Sequence, residues 1–406
     1  MAGTGAREGD KLQLPRRIRR VCRVALRIER SKETAHVERT GSKGGHLQAP
    51  AAHASQRYGG VALRLGVALA ALQRASAAMG SPQGRQLTRW LQEESHELMP
   101  LWLERREQGF VRECHGDLHL ANLLVLPGGP AAFDCIEFDP MLRWIDVIDD
   151  IAFTVMDLHA SGCRDLAFRL LNRWLDVTGD HGGLPALRFA VVYRALVRAQ
   201  VALMHATPQD ERAHRYVQVA LEWTRPAPLE LTILHGLPGS GKTTLSQRLL
   251  QDHGAIRVRS DVERKRLFGL AAGDDSRVAG LQIYGLQAGE RTYATLRERA
   301  ATALVAGYPA IIDAAHLRRH ERDHARDLAR ACQARFVIAA CEAPPDELRR
   351  RVAGRRGDAS EADVHVLERL RADAEPLEAD EWADVQAFGR SPFARSPRAA
   401  GGLPKR

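Results

Sequence analysis

The segment GLPGSGKTT at 236–244 has the spacing G-x-x-x-x-G-K-[ST], a pattern that suits a bound phosphate. Its glycines let the main chain curl until successive N–H groups and the start of the next helix face an anion. Lys242 brings a point charge to the β/γ oxygens, and Thr243 offers a hydroxyl to magnesium. The predicted nucleotide-binding set is Gly236, Gly239, Ser240, Gly241, Lys242, Thr243 and Thr244, with ATP and Mg2+ as ligands. A glycine-rich turn with a chance lysine is the plainer alternative. The flanks argue against it, because LTILHG (231–236) reads as a short apolar strand and a helix starts near Lys242.

Further along, Asp261 and Arg264 stand in SDVER, just past a second predicted strand, where the carboxyl ends of parallel strands line a ligand crevice. Asp261 is placed to accept a proton from an attacking hydroxyl or to orient it. Arg264 is placed to hold the substrate or the transferring phosphoryl group. The competing reading is an N-cap aspartate with a solvated arginine. Asp313 ends the apolar run AIID and either supports magnesium through water or serves as a cap or buried structural acid. In RRRVAGRRGD (349–358), Arg351 and Arg355 are four apart on one helical face, a pair that can clamp phosphates when a lid closes or simply form a charged, solvated surface.

With these residues, the region from about 229 to 388 resembles the small P-loop kinases of the polynucleotide-kinase and zeta-toxin-like group. The resemblance implies phosphoryl transfer to a hydroxyl, with Asp261 as the base and Arg351 and Arg355 on the donor phosphates. The acceptor stays open, because relatives of this kind differ widely in it.

A second set of residues lies upstream. CHGDLHLANLLVL (114–126), FDCIEFD (133–139) and WIDVIDDIAF (144–153) resemble the core of the aminoglycoside phosphotransferase and choline-kinase-like family. The resemblance implies Asp117 as base, Asn122 and Asp134 as magnesium ligands, and Asp150 as a brace for the loop. A carboxylate with an Asn/Asp pair of hard oxygen donors suits metal-assisted phosphoryl transfer. Without the resemblance, an acidic turn between helix and hairpin is the better reading. Kinases of that family place a nucleotide-binding lobe ahead of this core, and residues 1–60 show neither alternating strands nor a Val-x-x-Lys segment. The expectation is a truncated half that keeps its side-chain geometry without competent ATP binding. Taken in this order, the two halves resemble bacterial fusions of an aminoglycoside phosphotransferase-like domain to a P-loop kinase.

The elements that must position these residues divide the chain into a basic leader (1–60), a kinase C-lobe-like part (61–225), a P-loop part (229–388) and a tail (389–406). The fold class expected is α/β: a mostly helical, protein-kinase-like C-lobe followed by a P-loop parallel sandwich. Two helices over 61–106 are expected to break at 81–84, followed by a hairpin of 122–126 and 131–138. Helices resume from Trp144 to about Trp223, with breaks near 179–185 and at Pro208. Four strands follow at 231–236, 255–260, 309–315 and 334–341.

Composition narrows the function classes. At 406 residues the chain exceeds one ordinary domain, and 45% hydrophobic with 27% charged residues is a globular balance. Six cysteines without a CxxC pair indicate neither a zinc site nor a disulfide framework, and they read as reduced thiols of a cytoplasmic protein. Residues 1–60 hold 13 basic against 5 acidic residues, so most of the net charge of +9 is a basic leader and not a binding face. The partners expected are a nucleotide and a small hydroxyl acceptor, with no membrane. An RNA-binding arm ranks last. The leading reading is an ATP- and Mg2+-dependent kinase; the rival is a non-catalytic, nucleotide-switched module built on a pseudokinase scaffold.

Overall fold

The computed structural model describes residues 60–127, 129–204, 211–276, 283, 285–354, 360 and 362–386. The expectations for the leader, for the break at Pro208 and for the tail lie outside these residues. Two compact units result, one running to Leu171 and adding Ala186–Thr224, the other made of Asn172–Pro185 and the chain from Arg225 onward.

The first unit opens with helices α1 (Val61–Arg74) and α2 (Ser81–Glu107). Their break falls before residue 81 and not at 81–84, because Pro82 sits in the first turn of α2, where no intrahelical N–H bond is needed. The three-residue strand β1 (Val111–Glu113) pairs antiparallel with β4 (Trp144–Asp146), and between them β2 (Leu123–Leu126) pairs with β3 (Gly129–Ala132). The hairpin was expected to run on to residue 138, but it ends at Ala132. Asp134 takes a left-handed backbone (φ +63°) that breaks the ladder. Helices α3 (Pro140–Arg143), α4 (Val147–Ala160), α5 (Arg164–Thr178), α6 (Leu184–Met204) and α7 (Glu211–Trp223) follow, with α5 from Asn172 onward and the first two residues of α6 counted in the second unit. Every residue of α4 from Ile148 to Leu158 is buried, so this helix forms the middle of the core. Trp102 of α2 meets Phe189 of α6 edge-on at 4.9 Å, in the orientation that ring quadrupoles favour.

In the second unit four parallel strands stand in the order β6 (Ile256–Arg259), β7 (Ala310–Asp313), β5 (Glu230–His235), β8 (Arg335–Ala340). All four match the expected segments with ends shifted by one or two residues. Burial on both faces explains why they read as continuous apolar runs: Leu231, Ile233, Ile311, Ile312, Val337 and Ile338 are nearly inaccessible. The crossovers are α8 (Lys242–His253), then α9 (Ser260–Leu267) with α10 (Leu286–Val305), then α11 (Arg319–Ala331). Helices α12 (Pro345–Ala353) and α13 (Val364–Ala372) follow β8.

A strap over residues 375–386 then returns to the sheet. Ile338 donates its N–H to Asp384 and accepts one from Gln386. Three arginines of α11 hold the strap: Arg322 pairs with Glu381 at 2.6 Å with both side chains fully buried, Arg326 reaches Asp384 at 2.9 Å, and Arg319 reaches Asp380 at 2.7 Å. No helix among the described residues is long and apolar enough to cross a membrane.

Candidate active site

The turn after β5 is shaped by its glycines. Gly236 (φ +142°) lies so close to the end of β8 that a Cβ there would stand 2.2 Å from the carbonyl oxygen of Cys341. Gly241 (φ +96°) is the residue before α8, and open space surrounds it, so there the requirement is backbone conformation alone. Helix α8 begins at Lys242, and the first N–H groups of a helix lack intrahelical partners. Thr243 and Thr244 are exposed on that first turn. The ammonium of Lys242 donates to the carbonyls of Gly236 (2.8 Å) and Leu237 (2.9 Å), which holds a positive charge inside the loop. The hydroxyl of Ser240 is buried without a hydrogen bond.

This turn opens into a cavity of about 1470 Å³ whose walls include Lys242, Thr243, Asp261, Arg264, Asp313 and Arg351. The structure therefore gathers on one cavity every described member of the set expected for the second half except Gly236, which packs against the end of β8 behind it. Asp261 lies in the first turn of α9, and Arg264 one turn on donates to it at 3.3 Å. Asp313, at the end of β7, is buried and accepts from Ser246 of α8 at 2.8 Å, which ties the strand end to the helix after the loop. Arg351 bonds Glu347 at 2.6 Å and the carbonyl of Gly239 at 3.0 Å, so α12 is attached directly to the phosphate-type turn. Arg355 lies outside the described residues. The hydroxyl of Thr243 and the carboxylate of Asp313 are hard oxygen donors on one cavity, a set that suits magnesium bound together with phosphate oxygens.

Sequence reasoning missed the far wall of this cavity. Tyr293 of α10 accepts from the N–H of His316 at 3.1 Å and hydrogen-bonds the carboxylate of Glu321. Burial pushes the Glu321 carboxyl above its ordinary value, against bonds from the Arg318 N–H and Tyr293. Burial, then the charge of Glu321, pushes the Tyr293 phenol up. His316 has a left-handed backbone (φ +43°) and bonds the carbonyl of Leu234 at 2.9 Å. Burial lowers its imidazole to about 4. These residues come from separate elements, and no local motif marks them.

The first unit holds a different arrangement. The amide of Asn122 donates to both the carbonyl (3.0 Å) and the carboxylate (3.2 Å) of Asp117, and His119 lies 3.3 Å from that carboxylate. Burial raises Asp117, but the His119 hydrogen bond and charge, with Arg198 and Arg194, hold it below its usual value. Phe133, next to Asp134, donates its N–H to the carbonyl of Asn122 at 3.1 Å, and His115 bonds the carbonyl of Phe133 at 2.9 Å. The hairpin thus returns Asp134, exposed, beside the 115–122 loop. Asp150 accepts from the N–H groups of His115 (3.2 Å) and Gly116 (2.9 Å), the bracing position expected for it. Burial raises its carboxyl, opposed by Arg194 and those two N–H groups. Behind the loop Arg105 grips Asp146 with two bonds of 2.8 Å, and Arg64 meets Asp149 at 2.9 Å.

Residues 231–377 match the family model described as an AAA domain. Among curated proteins, Rv2004c of Mycobacterium tuberculosis (strain ATCC 25618 / H37Rv) and Mb2027c of Mycobacterium bovis, each named only as an uncharacterized protein, are 30% identical to this chain over 281 residues, 67% of its length. The chain spans 56% of the length of these relatives. Among solved structures, a sugar kinase from Janibacter sp. HTCC2649 aligns with a TM-score of 0.30 and 21% identity, covering 40% of this chain and 85% of that one. A gluconokinase from Sinorhizobium meliloti 1021 aligns with a TM-score of 0.29 and 17% identity, covering 40% and 83%.

Proposed function

We propose that this chain is an ATP- and magnesium-dependent phosphotransferase with a hydroxyl acceptor, and that the nucleotide sits on the 236–244 turn of the second unit. The observation that carries this reading is a single cavity holding both a glycine turn leading into a helix, with its lysine, and a carboxylate, Asp261, in the first turn of α9 just after β6. The acceptor oxygen bonds to the γ-phosphorus as the bond from that phosphorus to the β,γ-bridging oxygen breaks, and the bond pair leaves with ADP. Asp261 takes the hydroxyl proton, which requires its carboxylate to release Arg264. Lys242 and Arg351 hold the donor phosphates. Magnesium, when bound, offsets phosphate charge, and Thr243 and Asp313 are the residues placed to hold it.

The experiment is transfer from γ-labelled ATP across a panel of hydroxyl compounds with the full chain and with Asp261→Asn. Transfer by the parent chain and a loss of roughly 100-fold or more in the variant is expected for a general base. Equal transfer by both would remove Asp261 from the mechanism.

A nucleotide-switched, non-catalytic module is the second reading, and the bond from Arg351 to Gly239 favours it, since filling the turn would pull on α12. Tight ATP binding with no transfer to any acceptor would decide for the switch. For the first unit we propose a phosphotransferase-like loop built on Asp117, Asn122 and Asp134. Loss of a transfer activity in Asp117→Ala, with ATP affinity at the second unit unchanged, is the result that supports it.

A further inference from the structure

Asp313 is held at the cavity by a chain of buried polar groups. Its Oδ2 accepts from the hydroxyl of Ser246 on α8 at 2.8 Å, while its Oδ1 bonds no described residue. Ser246 is fully buried, and its proton has a second acceptor in reach, the carbonyl of Thr243 at 3.1 Å, the back-bond open to any helical serine. Arg257 of β6 meets the hydroxyl from the other side: its Nη1 donates to the Ser246 oxygen and to Oε1 of Gln247, both at 3.3 Å. The guanidinium is anchored in turn by Asp176 of α5 at 3.6 Å. Asn172, one turn earlier on α5, fixes the strand itself, accepting from the Arg257 N–H at 2.6 Å and donating to the carbonyl of Ala255 at 2.9 Å.

Neither Ser246 nor Arg257 lines the cavity. Arg257 stands between Ile256 and Val258 on a buried strand, where an aliphatic side chain would pack without the cost of withdrawing a charge from water. What the charge adds there is direction. With a donor on its oxygen, the Ser246 hydroxyl turns its proton to the carboxylate, the nearer of its two acceptors and the charged one. One oxygen of Asp313 is thereby fixed and the other is left for a cation. Outer partners of this kind set the aim of a metal-ligating carboxylate.

We propose that Ser246 and Arg257 are positioning residues for magnesium: Arg257 orients the Ser246 hydroxyl, the hydroxyl fixes Oδ2 of Asp313, and Oδ1 is kept for the ion or its water. The proposal rests on the metal role given to Asp313 in the phosphotransferase reading and adds the residues that aim that carboxylate.

The test follows Mn2+, a spectroscopic stand-in for magnesium, titrated into the full chain saturated with a non-hydrolysable ATP analogue. Bound metal is read from the loss of the free-ion EPR signal. Ser246→Ala should weaken Mn2+ about tenfold, as loss of an outer partner of a metal ligand does, and leave metal-free affinity for the analogue within about twofold. In an Asp313→Asn background the same change should move Mn2+ by less than about twofold, because its effect passes through that carboxylate. Arg257→Met, similar in length but without donors, should weaken Mn2+ severalfold and add nothing to Ser246→Ala. If it melts below the assay temperature, Arg257→Lys takes its place, keeping a charge opposite Asp176 without the fork that also reaches Ser246.

Mn2+ affinity unchanged in Ser246→Ala or in the Arg257 variant, an equal loss with and without the Asp313 carboxylate, or a loss of metal-free nucleotide affinity in its place would overturn the positioning role while phosphoryl transfer stands. The expected Mn2+ losses in a chain that phosphorylates no acceptor keep the positioning role and discard the transferase reading. A parent complex that holds Mn2+ no better than the analogue alone removes the metal role of Asp313 and this proposal with it.

Discussion

The two units hold candidate phosphotransfer loops built by opposite means. In the second, the phosphate-type turn is made of main chain: glycines, the start of α8 and one lysine, within nine consecutive residues. In the first, the loop around Asp117 is made of side chains, braced by Asp150 and backed by arginines from three helices outside the loop, Arg64, Arg105 and Arg194. A site of backbone geometry is local and fails when a Cβ is added. A site of side-chain networks is distributed and fails when a distant charge loses its partner.

The largest effect expected is at the network. Asp146→Ala leaves the buried guanidinium of Arg105 without its carboxylate, and a loss of roughly 3–5 kcal/mol in a denaturant titration is expected. A loss under about 1 kcal/mol would show that the acids behind the loop are not structural.

Acid should separate the units next. Burial, with repulsion from neighbouring arginines, holds His181 and His316 of the second unit at about 4, so the unfolded chain binds protons there first as pH falls below about 6.5. Their contribution is whole above that pH, drains between about 6.5 and 4, and amounts to about 3 kcal/mol for each at most. Asp149 and Asp150 of the first unit are raised by burial, so there the folded state gains protons first and acid adds stability as pH falls through their raised values. Hydrogen exchange at pH 7 and pH 5 should show the second unit loosening and the helix α4 region holding. His316→Gln should flatten the response, and parallel loss in both units would break the contrast.

Backbone sensitivity comes third. Gly236→Ala drives a Cβ into the Cys341 carbonyl and should cost roughly 2–3 kcal/mol, against about 1 kcal/mol for Gly241→Ala, where only φ is at stake. Equal costs in thermal melts would mean the loop moves freely off β8. Fourth, Lys242→Ala should weaken ATP by about 30-fold or more in calorimetry while Asp117→Ala changes nothing there. Smallest is Arg351→Ala: its half-exposed bond to the loop is worth under about 1 kcal/mol, read as a severalfold change in ATP affinity.

This contrast also explains what could be read in the sequence. The four strands of the parallel sheet were legible because strands buried on both faces must be apolar throughout, and the glycine turn because its constraints are contiguous. Strands β1 and β4 were missed, since three residues are too few for an alternation to register. The end of the hairpin was misplaced because the left-handed turn of Asp134 has no glycine to announce it. Asp313 was expected either near magnesium or as a cap or buried structural acid; its particular bond from Ser246 was not foreseen, since nothing in the spacing of 67 residues marks the two as neighbours. Tyr293 and Glu321 escaped for the same reason. The Asp117 set was singled out only through a family resemblance, and the arginines that back its loop had no signal in the sequence.

The strap at 375–386 also bears on how the chain can be shortened. Its Glu381 is the buried counter-charge of Arg322, which stands on the helix carrying His320, Glu321 and His324. Trimming the polypeptide before Glu381 would strand that guanidinium and disturb the opposite wall of the cavity, so a shortened protein that no longer accepts substrate would be reporting a lost anchor, with every residue of the pocket still in its sequence.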